Sequence, residues 1–205
     1  GYNYNSNEVL GFPQIHCWVL AGLTLMPTTG NVDPTLGEEN WKSTFLHEEE
    51  IAQPGYHRMY LKDYGIWVEQ TATDRTGMYR LTFTKDSDAD ILVNLGGYIG
   101  STTMRNASVK KVSSNEIEGS FDTYGRHWGG PENVKIHFVI RFEKDFERLD
   151  GWRDKERFNA IDTLRGSSII TRRYPTEELS YLDSPTSGVS ARYKVKTGEK
   201  MCIRT

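Results

Sequence analysis

The stretch that decides the fold lies in the second half of the chain. It reads Val134-Lys135-Ile136-His137-Phe138-Val139-Ile140-Arg141-Phe142. Apolar side chains recur at every second position, which is the pattern of a β-strand with one face buried. The run therefore predicts a strand that supplies one of its faces to a hydrophobic core.

Similar runs occur along most of the chain. Alternating or continuous apolar patterns predict further strands at residues 56–61, 66–72, 79–83, 91–95, 116–121 and 190–196. Helical periodicity is weak, and its best candidate, residues 143–158, is interrupted by Asp150 and Gly151. Many short strands joined by polar turns predict an all-β fold, specifically an antiparallel β-sandwich.

Two features qualify this prediction. Between Gly151 and Gly188 the alternation stops and charged residues, Ser, Thr and Pro dominate, so we predict a long irregular insertion around residues 151–188. The chain opens on a polar string, residues 1–5, and closes on a strand-like run, residues 201–205. We therefore expect a fragment whose sandwich is incomplete at one or both ends.

Composition excludes several classes of protein. Hydrophobic residues make up 37% and charged residues 26% of 205 residues, which is typical of a globular protein. No apolar run approaches the roughly 18 residues of a membrane span. Lys and Arg total 25 against 28 Asp and Glu, so a nucleic-acid partner is not expected. Cys17 and Cys202 form no metal or redox motif and are predicted to be free, buried thiols.

Two acidic segments resemble metal-binding sequences. Residues 86–90 imitate the start of a calcium loop, but Ile91 stands where a Gly is required and Gly97 where a bidentate Glu is required. We interpret this segment as a solvated turn. Residues 47–50, a His followed by three Glu, are interpreted as a solvated charge run. The sequence thus predicts neither a metal ligand nor a catalytic residue in this chain.

Two glycine-bounded segments place an imidazole close to an indole. Residues 11–18 contain His16 and Trp18, and residues 124–130 contain His127 and Trp128. An indole stacks on the C–H face of a sugar, while an imidazole bonds its hydroxyls. We predict that His16 and Trp18 bind substrate, with a weaker case for the second pair. The alternative is that both indoles pack into the sandwich core.

A series of blocks, in order, resembles the N-terminal domain of glycoside hydrolase family 92. The resemblance covers residues 1–149 and resumes near Ser190. Its blocks are Gly1-Tyr2-Asn3-Tyr4, Gly11-Phe12, His16, Leu25-Met26-Pro27-Thr28, Phe45-Leu46-His47-Glu48-Glu49-Glu50, Pro54-Gly55-Tyr56, Tyr60-Leu61-Lys62-Asp63-Tyr64-Gly65-Ile66, and Glu69-Gln70-Thr71-Ala72-Thr73-Asp74-Arg75. Further blocks are Tyr79-Arg80-Leu81-Thr82-Phe83, Ile91-Leu92-Val93-Asn94-Leu95-Gly96, Ile117-Glu118-Gly119 and Phe138-Val139-Ile140-Arg141-Phe142.

The resemblance implies a fold and an activity. The fold would be a galactose mutarotase-like supersandwich, and residues 1–205 would form the N-terminal domain of a two-domain glycosidase. The family's members are mostly exo-acting, calcium-dependent, inverting α-mannosidases, which suggests α-1,2-linked mannose in N-glycan degradation as the target. Their acid, base and calcium ligands come mainly from a C-terminal helical α/α toroid, which this chain lacks.

The resemblance also implies the partners of this chain. They are mannose-containing glycans and the helical domain of the same protein, in a secreted or periplasmic setting. Calcium would be bound mainly by the helical domain, so none is expected in this chain. The sequence leaves two alternatives open: a stand-alone carbohydrate-binding sandwich without hydrolytic activity, and a domain whose exposed aromatic residues contact protein.

Overall fold

A computed structural model of the chain describes residues 4–13, 23–99, 102–124, 133–166 and 187–205. Within these ranges the regular structure is strand, apart from three short 3₁₀ turns, and all the strand pairs are antiparallel. The prediction of an all-β antiparallel sandwich is therefore confirmed. His16, Trp18, His127 and Trp128 lie outside the described residues, as does Cys17.

The larger sheet contains ten strands. Its order is β10 (Gly97–Ile99), β11 (Thr102–Lys111), β12 (Glu116–Tyr124), β13 (Asn133–Phe142), β18 (Lys200–Arg204), β8 (Gly77–Phe83), β7 (Ile66–Ala72), β6 (Tyr56–Leu61) and β5 (Ile51–Gln53). The tenth strand, β16 (Thr163–Arg165), pairs with β11. Each of the predicted strands at 56–61, 66–72, 79–83, 116–121 and 134–142 lies within one of these elements.

The smaller sheet contains six strands. Its order is β15 (Glu156–Phe158), β14 (Arg148–Arg153), β17 (Ser187–Val195), β9 (Ser87–Asn94), β3 (Thr24–Thr29) and β2 (Phe12–Pro13). A separate two-stranded ladder joins β1 (Glu8–Val9) to β4 (Ser43–Thr44). The 3₁₀ turns are Pro34–Leu36, Glu38–Asn40 and His47–Glu49.

The two sheets pack face to face around one core. The Tyr79 hydroxyl of β8 donates a hydrogen bond to the carbonyl of Phe12 in β2, at 3.1 Å. The rings of Phe142 in β13 and Tyr193 in β17 lie 6.2 Å apart. These contacts cross between the sheets, and alternate side chains of the strands point into the space that they span. Fully buried side chains such as Ile91 each contribute about 1.5–3 kcal/mol.

A second layer covers the opposite face of the smaller sheet. Its anchor is Trp41, which is 1% exposed and meets the ring of Trp152 edge-on at 5.8 Å. The Trp41 indole also donates a hydrogen bond to the carbonyl of Leu10, at 2.9 Å. Residues 89–94 of β9 are buried on both faces, which explains the nearly continuous apolar run at residues 91–95.

The segment 151–188 is less irregular than the sequence predicts. Its described part carries the end of β14, then β15, β16 and the start of β17, and residues 167–186 lie outside the described residues. Residues 151–153 are the end of β14 and pair with β15 and β17. Just before them in the same strand, Asp150 is only 1% exposed. Its carboxylate accepts hydrogen bonds from Arg148 and from the backbone N–H of Ala160. A buried Asp whose hydrogen bonds are satisfied interrupts the apolar alternation of the sequence, yet the strand still forms.

None of the helical turns in the described part of the chain is long and apolar enough to span a membrane.

Candidate functional site

Several strands begin or end together at one end of the sandwich, which we call the loop end. In the smaller sheet, Thr24 at the start of β3 is paired with Pro13 and Asn94, where β2 and β9 end. Asn94 is also paired with Gly188, near the start of β17. In the larger sheet, β12 ends and β13 begins at the pair Tyr124–Asn133.

Gly166 connects the two sheets at the loop end. Its N–H donates to the carbonyl of Ala107 in β11, at 2.7 Å. A Cβ added to Gly166 would lie 2.9 Å from the Cβ of Ser187, so the backbones approach closely there. The N–H of Leu95, just after β9, donates to the carbonyl of Ser187 at 2.8 Å. The end of β9, the start of β17 and the middle of β11 are thus held together.

The predicted substrate-binding residues belong to segments flanked by the loop end. His16 and Trp18 lie in residues 14–22, between the paired residues Pro13 and Thr24. His127 and Trp128 lie in residues 125–132, between the strands β12 and β13. The described residues therefore place both pairs of flanking strand ends at one end of the fold, and the role of each side chain remains a prediction.

The loop end carries a carboxyl group whose pKa is strongly raised. Glu38 starts the 3₁₀ turn Glu38–Asn40, and its Oε1 accepts a hydrogen bond from Nδ2 of Asn94, at 2.5 Å. Burial raises the pKa of Glu38 to about 7, against the opposing effect of the Asn94 hydrogen bond, and the nearby Glu39 raises it further. Glu38 is therefore a mixture of protonated and ionised forms near neutral pH.

Aromatic rings close the site on the β14 side. The Trp152 ring lies over Gly188, where an added Cβ would come within 2.4 Å of the indole and 2.2 Å of the Val93 carbonyl oxygen. Only glycine leaves room for this ring. Thr24, the cross-strand neighbour of Asn94, is 8% exposed, and its buried hydroxyl has no partner within the described ranges. The site thus combines an amide, a titratable carboxyl and a hydroxyl, and the buried indole of Trp152 packs beneath them.

Residues 86–90 do not form the solvated turn predicted from the sequence. Most of the segment belongs to β9, and Asp90 is 2% exposed. Its carboxylate accepts hydrogen bonds from Ser190 at 2.7 Å and from Arg192 at 2.7 and 3.2 Å. Asp86 is exposed, but it accepts hydrogen bonds from Lys196 and from the backbone N–H and hydroxyl of Thr197.

Residues 47–50 are not a uniformly solvated charge run either. The Glu50 side chain is 4% exposed and lies between two imidazoles, with His47 Nδ1 and His57 Nε2 each 2.8 Å from one of its oxygens. Gln70 Nε2 contacts the other nitrogen of His57, at 3.0 Å. The 3₁₀ turn His47–Glu49 directs Glu50 back onto β6, which supplies His57. Residue spacing alone could not reveal this partner.

Calcium has no suitable site among the residues that the structure describes. They contain no group of three or more His, Cys, Asp or Glu side chains able to hold a metal ion. The carboxylates of Asp86 and Asp90 already bind cationic side chains and hydroxyls of the chain, whereas Ca²⁺ requires six to eight oxygen ligands. The donors of the described strands therefore do not fit the ion.

No pattern in the sequence singles out Glu38 or Asn94. Their side chains meet across 56 positions, and no local pattern links them. One signal was available: Asn94 is a polar residue at the end of an apolar run that is buried on both faces, and such a residue needs a partner.

Comparison with known proteins places the fold. A family GH92 α-mannosidase from Bacteroides thetaiotaomicron, solved in complex with mannoimidazole, superposes with a TM-score of 0.73 at 22% identity, covering 100% of this chain and 26% of that one. A family GH92 inverting mannosidase from the same species gives 0.71 at 16% identity, covering 99% and 24%. The GH92 family glycosyl hydrolase ccman5 gives 0.70 at 19% identity, covering 100% and 27%.

The chain spans about a quarter of the length of these solved proteins. Comparison with curated protein sequences gives no significant match. The family profile described as the glycosyl hydrolase family 92 N-terminal domain matches residues 1–205. Together with the antiparallel sandwich, this full-length match shows that the chain belongs to glycosyl hydrolase family 92, as its N-terminal domain.

Proposed function

We propose that this domain forms the substrate-facing wall of an exo-acting, inverting α-mannosidase that acts on α-1,2-linked mannose. The observation that carries the proposal is the match of the whole chain to the family's N-terminal domain. Two of the structurally similar proteins are described as mannosidases, one of them as inverting. The loop end is the region of the sandwich that we assign to the glycan.

The catalytic groups are assigned to a C-terminal helical domain of the full-length protein. An inverting glycosidase needs an acid and a base about 6.5–9.5 Å apart, on opposite sides of the scissile bond. Among the described residues, the buried carboxylates of Asp90, Asp150 and Glu50 bind side chains of the chain itself. Calcium is assigned to the same helical domain, because the described residues offer no set of ligands for it.

The sandwich domain supplies substrate contacts rather than chemistry. Its assigned contacts are His16 and Trp18, with His127 and Trp128 as weaker candidates. On an extended segment, residues two apart share a face, so an indole can stack on a sugar while an imidazole bonds a hydroxyl. The flanking strand ends Pro13, Thr24, Tyr124 and Asn133 support this assignment, because they lie at the same end of the sandwich.

The substitution Trp18→Ala in the full-length protein tests the assignment. Loss of part of an aromatic contact, about 1–2 kcal/mol, should raise KM for α-1,2-mannobiose on the order of tenfold while the protein stays folded. Trp67→Ala is the matched control, because Trp67 lies on the outer face of β7, paired with Tyr60, and should leave KM unchanged. If Trp18→Ala unfolds the protein, or leaves KM unchanged, Trp18 is not a substrate contact.

A further inference from the structure

Glu38 is held in place by an amide that is itself fixed. Asn94 is 2% exposed, and its Oδ1 accepts a hydrogen bond from the N–H of Gly96, at 3.3 Å. Its Nδ2 is therefore directed at Glu38, where it donates to Oε1. Because Asn94 ends the central strand β9, the Glu38 carboxyl has a defined position at the loop end.

The second oxygen of this carboxyl is not engaged by the described residues. Oε1 is bound to Asn94, whereas no donor in the described part of the chain reaches Oε2. The Glu38 side chain is only partly buried, so Oε2 is not sealed in the core. The neighbouring Thr24 hydroxyl also lacks a partner in this part of the chain. The loop end thus retains hydrogen-bonding capacity that the described fold does not use.

Stability does not account for this arrangement. The charged form of Glu38 is penalised by burial and by the nearby Glu39, and no cation is among the groups that act on its pKa. Asp90, by contrast, has Arg192 directly opposite. A carboxyl that is positioned, partly desolvated and uncompensated is a costly group to retain, and such groups concentrate at functional sites.

We propose that Glu38 contacts a hydroxyl of the bound glycan through Oε2, with Asn94 as its positioning residue. This inference rests on the proposed function, namely that the loop end faces the sugar. The protonated carboxyl donates a hydrogen bond to the sugar oxygen while Oε1 stays bound to Asn94. In this contact the sugar oxygen is the acceptor, so ionisation of the carboxyl removes the hydrogen bond and weakens sugar binding as the pH rises above neutrality.

The test uses the full-length protein and α-1,2-mannobiose. Glu38→Ala should raise KM about tenfold at pH 6, because both the contact and its positioning are lost. Glu38→Gln keeps an acceptor for Asn94 and a permanent donor for the sugar, so its KM should be close to wild type at pH 6. The matched control is Glu39→Gln, since Glu39 is an exposed neighbour in the same turn. Glu39 only adds to the raised pKa of Glu38, so at pH 6 its removal should leave KM within twofold of wild type.

The pH dependence separates a ligand contact from a structural role. The KM of wild type divided by the KM of Glu38→Gln should rise severalfold between pH 6 and pH 8. Other groups titrate in both proteins alike, so their effect on KM drops out of this ratio. A constant ratio, or a Glu38→Ala KM within twofold of wild type in a folded protein, would overturn the inference. If Glu38→Ala is unfolded, the ratio for Glu38→Gln decides alone.

Trp18→Ala, measured in parallel, separates this inference from the proposed function. If Trp18→Ala raises KM and the Glu38 variants do not, only the role of Glu38 is wrong. If neither residue affects KM, the loop end does not face the sugar, and both proposals are wrong.

Discussion

Two polar positions on the same strand and the same face have opposite electrostatic surroundings. Asp90 and Asn94 lie on β9, four residues and roughly 13 Å apart. Around Asp90, the Arg192 guanidinium and the Ser190 hydroxyl satisfy both carboxylate oxygens. At Asn94, the adjacent carboxyl of Glu38 has an amide partner and no cation. The surroundings of Asp90 stabilise its charge, whereas the carboxyl beside Asn94 is unfavourable in its ionised form and lies where the flanking strands end.

The largest effect is expected from Asp90→Ala. Removal of this carboxylate leaves Arg192, whose side chain is 21% exposed, without its direct partner. Breaking a buried pair in this way costs about 3 kcal/mol of unfolding free energy, measured by chemical denaturation. The double variant Asp90→Ala with Arg192→Met should recover part of that loss, because no charge is left unpaired. Equal stability of Asp90→Ala and wild type would show that the ion pair of Asp90 with Arg192 does not stabilise the fold.

Glu38→Gln should act in the opposite direction and stabilise the protein at pH 8. The folded pKa of about 7 lies above the ordinary 4.5, so the folded state binds protons more tightly than the unfolded state. The stability due to Glu38 is complete below pH 4.5 and is lost as the pH rises towards 7. At pH 8 the substitution should recover up to about 3 kcal/mol. A loss of stability at pH 8 would contradict the raised pKa.

Glu69→Gln should change the free energy of unfolding by less, and with the reverse pH dependence. The ion pair with Arg80 lowers the pKa of Glu69 to about 2, with help from the Tyr56 hydroxyl. The stability due to this pKa is present above pH 4.5 and is lost as the pH falls towards 2. Because Arg80 is exposed, we expect a loss of about 1 kcal/mol at pH 7 and a smaller one at pH 3. A loss that grows on acidification would be contrary to this account.

Calcium should have the smallest effect on the 205-residue chain. Arg192 and Lys196 occupy the carboxylates of Asp90 and Asp86, so the ion would have to displace existing pairs. Calorimetric titration of the isolated chain should therefore show no tight, stoichiometric site. A site of micromolar or better affinity that is lost in Asp86→Asn would show that residues 86–90 bind the ion after all.

Alternation along the chain predicts strands where one face is buried in the core. β6 and β7 have the predicted boundaries, and β13 differs by a single residue. The same pattern fails for β14, where Asp150 takes a buried position with Arg148 as its partner. The alternating pattern also fails at Asp90, because this buried carboxylate has Arg192 as its partner. Folding brings such a polar residue to its buried partner, but in the sequence it cannot be distinguished from a residue of a solvated turn.

The candidate site was only partly predictable. His16 and Trp18 were identified by their residue types and by family resemblance, and the structure adds where their flanking strands end. The Glu38–Asn94 pair arises from a contact between a 3₁₀ turn and a distant strand, which no spacing rule anticipates. Local periodicity thus predicts the scaffold, whereas the polar groups of the site depend on long-range packing.

Turnover of α-1,2-mannobiose by two proteins tests the division of labour most directly. One is the 205-residue chain, shown to be folded by its circular dichroism, and the other is the full-length protein with the C-terminal domain that we propose for it. We expect the full-length protein to release mannose with inversion and the isolated chain to release none, because we assign the acid and the base to the C-terminal domain. Release of mannose by the purified, folded chain alone would contradict the account.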